Sequence, residues 1–103
     1  MRYRVYYDDD GQVDIEVVNK QPFIHVSFTR WSSRVARKAV AIQDCIETLL
    51  RMGGARVVLA EFRPDQILGI KFAKRFGFKH LQTLSNEHLI MGKRLDEPMR
   101  IEV

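Results

Sequence analysis

The sequence predicts a single mixed α/β domain, and three observations carry that prediction. The first third is β-prone, alternating and punctuated by turn residues. The middle switches to apolar residues at helical spacing. The last part returns to short apolar runs on either side of one more helical stretch. Period 2 marks half-buried strands and period 3.6 marks helices with one buried face.

Arg2-Tyr3-Arg4-Val5-Tyr6-Tyr7 reads as the first strand, because aromatic and β-branched residues suit a pleated surface. Asp8-Asp9-Asp10-Gly11 follows, and Asp-Gly is a strong hairpin signal. Val13, Ile15 and Val17 alternate with Asp14 and Glu16 in a second strand. Asn19-Lys20-Gln21-Pro22 reads as a second turn and Phe23 to Phe28 as a third strand, so the opening is an antiparallel meander. Val35, Ala39, Ile42, Ile46, Leu49 and Leu50 then recur at helical spacing. With Ser32 or Ser33 as N-cap and Gly53-Gly54 as C-cap, they predict a helix over 33–52. Arg56 to Glu61 is a short apolar run after glycines and reads as a buried strand.

Arg63-Pro64-Asp65 opens a second helix over 65–76, with Ile67, Leu68, Phe72, Ala73 and Phe76 as its apolar positions and Gly77 as its stop. Phe78 to Thr83 and His88 to Leu95 are the closing strands, joined by a Ser85-Asn86 turn. The order is β-β-β-α-β-α-β-β. Residues 1–95 form the domain and 96–103 a short, loose tail. The two β-α-β crossovers place their strands parallel, with right-handed connections.

A chain of 103 residues suffices for one core, and 46% hydrophobic with 29% charged content argues against disorder. The net charge of +4 suits an anionic ligand but is too small to imply nucleic acid. The lone Cys45 excludes an internal disulfide. Lying mid-helix among apolar residues, it reads as a buried, inert thiol. His80 and His88 have no metal-ligand spacing with it, so no metal is expected. The chain begins at once on a strand pattern and has no apolar run near ~18 residues. Neither a signal peptide nor a spanning helix is expected, and the expected location is the cytoplasm.

The element order and spacings resemble the GNAT superfamily of N-acetyltransferases, from the middle of its fold to its end. The stretch Asp65 to Phe78 resembles the family's late helix, with Gly77-Phe78 matching its end and Gln66 where an Asn commonly stands. His88 to Leu95 resembles the closing strand. Arg30-Trp31-Ser32-Ser33-Arg34-Val35 takes the place of the pyrophosphate loop; Arg30 matches, while Ser33 and Val35 occupy its two small positions. Ala73 falls where a tyrosine often sits, and the family's first strand and following two helices have no counterpart. Small phage-encoded relatives are similarly short.

The resemblance implies acetyl-CoA as cofactor and an amine as acceptor. It implies third and fourth strands that run parallel and splay to receive the pantetheine arm. It places cofactor binding at Arg30, Trp31, Ser32, Ser33, Arg34, Val35 and Gln66. The alternative is a GNAT-fold binding or structural protein that has lost the cofactor, such as a phage virion or host-interaction component. The location would then be host cytoplasm or virion.

Arg30, Arg34, Arg37 and Lys38 crowd the start of the first helix, where each cation is unfavourable by roughly 0.3–1 kcal/mol. Either an anion such as phosphate completes the site, or the charges splay into solvent. His25 shares a strand face with Ser27, and Glu61 ends the fourth strand; both are candidate general bases. Asp8-Asp9-Asp10 could hold a cation or an amine, or be a solvated hairpin tip. Trp31 could stack on an adenine or lid the core edge. Tyr3, Tyr6 and Tyr7 on the first strand, and Leu89, Ile90 and Met91 on the last, offer sheet edges for a homodimer or another protein partner.

Overall fold

A computed structural model describes residues 1–96; of the tail expected over 96–103, residues 97–103 lie outside the described residues. The elements are β1 (Arg2–Asp8), β2 (Gly11–Val18), β3 (Gln21–Phe28), α1 (Ser33–Met52), β4 (Val57–Phe62), α2 (Ile67–Arg75), β5 (Lys79–Thr83) and β6 (Leu89–Arg94). This is the expected order.

Two tight hairpins build the meander. In the second, Asn19 and Lys20 take φ of 51° and 66°, the positive values a two-residue type I′ loop requires. The turn is therefore shorter than expected, and Pro22 lies inside β3 opposite Val17. Near a strand start the missing N–H of proline is tolerated. α2 begins at Ile67 and not at 65, because Arg63 to Gln66 forms a turn in which Gln66 N–H donates to the Arg63 carbonyl at 3.1 Å.

One six-stranded sheet runs in the order β1-β2-β3-β4-β6-β5. Only β3 and β4 pair in parallel; the remaining neighbours are antiparallel. β5 runs in the direction of β4, as the crossover predicts, but β6 folds back between them. The closing strand is thus interior, with Met91 0% exposed, and the second edge is β5. This corrects the expectation that Leu89 to Met91 form an open edge.

The register decides where the core lies. Paired residues share a face, so Val13, Ile24, Ala60 and Met91 point one way, and they join Ile46 of α1 and Ala73 of α2 in one buried cluster. Both helices therefore cover the same face. The other face carries Arg2, Gln12, Asp14, His25 and Glu61, with no helix over it among the described residues.

α1 starts as expected, Ser32 Oγ accepting from Val35 N–H at 3.2 Å. Its buried stripe differs from the apolar periodicity. Leu49 is 62% exposed and Cys45 is exposed, whereas Gln43 and Glu47 are buried. A helix advances 100° per residue, so a stripe centred on Val35, Ala39, Gln43 and Ile46 leaves Ala41, Cys45 and Thr48 on the far side. Glu47 is acceptable there because Lys93 Nζ reaches it at 2.9 Å and Gln43 Nε2 at 2.9 Å. Lys93 also lies 4.4 Å from the Phe76 ring centroid, tying α1, β6 and the end of α2 together.

Candidate functional site

β3 and β4 pair only at Phe23–Leu59 and Ile24–Ala60. Beyond that point the parallel ladder stops and the strands diverge. Backbone groups of β3 past Ile24 that would have met β4 are left for another partner. The gap opens into an apolar cleft of about 320 Å³, walled by Val26, Phe28, Trp31, Phe62 and Phe72 and floored by Gly69. Trp31 packs edge-on to Phe28 at 5.4 Å and against Phe72 at 5.3 Å, and Phe72 stacks on Phe76 at 5.8 Å. This aromatic row ties the end of β3 to α2. Trp31 is thus a wall of the cleft.

Gln66 sits at the mouth, its Oε1 accepting from Arg63 N–H at 2.7 Å. Val26, Ser27, Arg63 and Gln66 are shared with a second, polar cleft of about 290 Å³ on the uncovered sheet face. That cleft brings together both sequence-predicted bases, His25 and Glu61, with Arg2, Gln12 and His88. His25 Nε2 lies 2.9 Å from Glu16 Oε1. His88 Nδ1 lies 2.6 Å from Glu61 Oε2. Asp14 is buried under Arg2, whose Nε donates to its Oδ2 at 2.9 Å; its Oδ1 has no hydrogen-bond partner among the described residues, with Arg4 Nε 4.0 Å away. Sequence reasoning weighed His88 only as a metal ligand. The available signal was alternation: two residues before Ile90, which pairs with Glu61, it falls on the same face as Glu61.

The start of α1 is the third feature. Arg30, Ser32, Arg34, Val35, Thr29 and Asp10 surround a hollow of about 370 Å³. Ser33 and Arg34 are at helix positions whose N–H groups have no intrahelical acceptor. Val35, however, buries its side chain in the core at 2% exposure, so its bulk does not obstruct the hollow. The Asp8–Asp10 tip folds over this end. Arg34 grips Asp10 through both guanidinium nitrogens at 2.7 and 2.8 Å. Lys38 donates to Asp8 at 2.6 Å and also to Asp10.

These contacts set the local protonation. The Lys38 ammonium, aided by the Tyr6 hydroxyl, holds the Asp8 carboxyl down to about 2. The Arg34 guanidinium, with Lys38, holds Asp10 well below the usual carboxylate range, and both cations are raised in return. Two of the four cations at this turn, Arg34 and Lys38, are therefore paired from within, by an acidic tip the sequence alone left open. Among the described residues no group of three or more His, Cys, Asp or Glu could hold a metal ion. No described helix is long and apolar enough to cross a membrane.

No protein-family model matches the chain, and no curated protein matches it at a significant level. Solved structures do. A domain from Methanocaldococcus jannaschii superposes with a TM-score of 0.69 at 20% identity, covering 82% of this chain and 55% of its own. The PaiA N-acetyltransferase from Thermoplasma acidophilum, solved in complex with coenzyme A, gives 0.64 at 14% identity over 82% of this chain and 52% of its own. A ribosomal-protein-alanine N-acetyltransferase from Escherichia coli gives 0.67 at 11% identity, over 100% of this chain and 74% of its own. The first two are matched over little more than half their length. The chain has the GNAT-type fold, with a parallel pair whose ladder stops after Ile24 and Ala60.

Proposed function

We propose that the protein transfers an acetyl group from acetyl-CoA to an amine. The observation that carries this reading is the splay after Ile24 and Ala60, which joins a narrow apolar cleft to a polar one holding base candidates. An extended thioester arm fits the first, lying against Trp31, Phe28 and Phe72. Unpaired backbone of β3 would orient the arm and polarise the thioester carbonyl, a form of stabilisation that needs no side chain. The acceptor would approach through the polar cleft, and holding the two reactants together supplies much of the rate enhancement.

The diphosphate end fits less closely. The amides of Ser33 and Arg34 and the Arg30 side chain suit an anion, but Asp10 stands at the same hollow and already engages Arg34. Binding of acetyl-CoA is therefore expected to be weak and sensitive to that tip. Calorimetry with acetyl-CoA tests this. The expected result is measurable heat, weakened several-fold in Arg30→Ala and strengthened several-fold in Asp10→Asn. Those changes correspond to about 0.3–1 kcal/mol for a charge near a helix end. No heat and no thermal shift at millimolar acetyl-CoA would remove the cofactor and the enzyme reading together.

A further inference from the structure

The polar cleft holds two imidazoles, each tied to a carboxylate, and they differ in which nitrogen is tied. His25 uses its outer nitrogen, Nε2, on Glu16, leaving Nδ1, the nitrogen beside its own backbone. His88 uses Nδ1 on Glu61 at 2.6 Å. Its Nε2, the far tip of the ring, has no hydrogen-bond partner among the described residues. A carboxylate on Nδ1 fixes the tautomer that carries its proton there, so Nε2 presents a lone pair. Both partners are about one-third exposed, at 29% and 33%, so the ring is held and yet reachable.

We propose that His88 is the catalytic base of the acetyl transfer, with Glu61 as the positioning residue that aims it. This rests on the acetyl-transfer reading above. The site favours His88 on three grounds. Imidazole is the side chain whose proton equilibrium lies nearest neutrality, which suits proton removal at physiological pH. The free nitrogen is the one that extends from the ring tip. The cleft it lines shares Val26, Ser27, Arg63 and Gln66 with the apolar cleft, so an acceptor there meets the end of the arm. The charged and titratable neighbours are Arg2, His25, Glu61 and Arg63 lining the cleft, and Glu16 behind His25.

The step balances as follows. An acceptor ammonium gives one proton to His88 Nε2. The freed nitrogen pair attacks the thioester carbon, forming the C–N bond while the C–S bond breaks with its electrons on sulfur. The second nitrogen proton passes to the thiolate, leaving amide and free thiol, and His88 returns its proton to solvent.

Two measurements test the assignment, one of them without turnover. Ring-nitrogen NMR of the wild-type protein should show His88 protonated on Nδ1 and bare on Nε2, with that preference lost in Glu61→Ala. A His88 ring protonated on Nε2 in its neutral form overturns the proposal. For the second, acetyl-CoA is supplied with a peptide bearing a free amino terminus as probe acceptor. His88→Gln should lower kcat about 100-fold or more while calorimetry finds acetyl-CoA affinity unchanged, and added imidazole should restore part of the rate to His88→Ala. An undiminished rate in His88→Gln, a loss that merely tracks lost acetyl-CoA binding, or a larger loss in His25→Gln overturns it. Wild-type protein that binds no acetyl-CoA sinks the acetyl-transfer reading, and this assignment with it. Normal binding with the wrong tautomer sinks the assignment alone.

Discussion

Asp8 and Asp10 close over the start of α1, and their pairing with Lys38 and Arg34 has a definite pH signature. The Asp8 carboxyl is lowered from 3.8 to about 2, chiefly by the Lys38 ammonium. A depressed carboxylate stabilises the fold above its unfolded value, and that contribution drains away as pH falls through the folded one. The window for Asp8 is therefore 3.8 down to about 2, and Asp10 stays charged to lower pH still. The tip is expected to remain latched to α1 at about pH 3, where free carboxylates are already protonated. Carboxyl NMR titration checks this: a midpoint for Asp8 near its unperturbed 3.8 would mean that the latch does not form. Because the groups are partly exposed, high salt should raise that midpoint.

At the scale of elements, the hairpin between β1 and β2 depends on Gly11 for a reason the Asp-Gly signal does not contain. The two-residue loop is Asp9-Asp10, and Gly11 is already the first residue of β2, opposite Phe28 of β3. A Cβ there would lie 2.1 Å from the Ser27 carbonyl oxygen and 2.7 Å from Phe28 Cα, both backbone atoms. Backbone cannot swing aside as a side-chain tip can. Gly11→Ala is expected to lower stability by about 2 kcal/mol, roughly 10 °C in Tm. It should also loosen the Asp10–Arg34 contact that the hairpin carries. Thermal unfolding reads the first effect. A Tm within about 2 °C of wild type would mean that β2 and β3 can part locally at no cost.

Across the whole molecule, the sheet has two open edges, β1 and β5, and one face without helices among the described residues. β1 exposes Tyr3 at 52% and Tyr7 at 68%, while Tyr6 turns toward the core and bonds to Asp8. Unpaired β-prone edges tend to find a partner strand, so a homodimer through β1 is the expected state in solution. Light scattering at micromolar concentration should give twice the chain mass. Replacing Tyr3 and Tyr7, the exposed pair, with Ser should return it to the monomer. A monomeric wild type would show that Arg2 and Arg4 repel a like strand strongly enough to keep the edge free.

Period, capping residues and turn chemistry are local, so the eight elements, their order and most of their ends were legible in the chain before any distant contact formed. Ser32 and Gly54, at the two ends of α1, illustrate this. Strand alternation also puts His25 on the sheet face opposite Ile24, and His25 and Glu61 line the polar cleft there. Tertiary structure alone decided the remainder. Cys45 and Leu49 face outward while Glu47 faces inward, because α1 is turned to meet Lys93 on β6, a partner 46 residues away. β6 became interior because the last hairpin folds back against β4. The acidic tip covers the basic helix start, and His88 meets Glu61, through contacts 24 and 27 residues apart in the chain. Local propensity cannot encode such pairings, because the energy that selects them exists only once distant strands have taken their register.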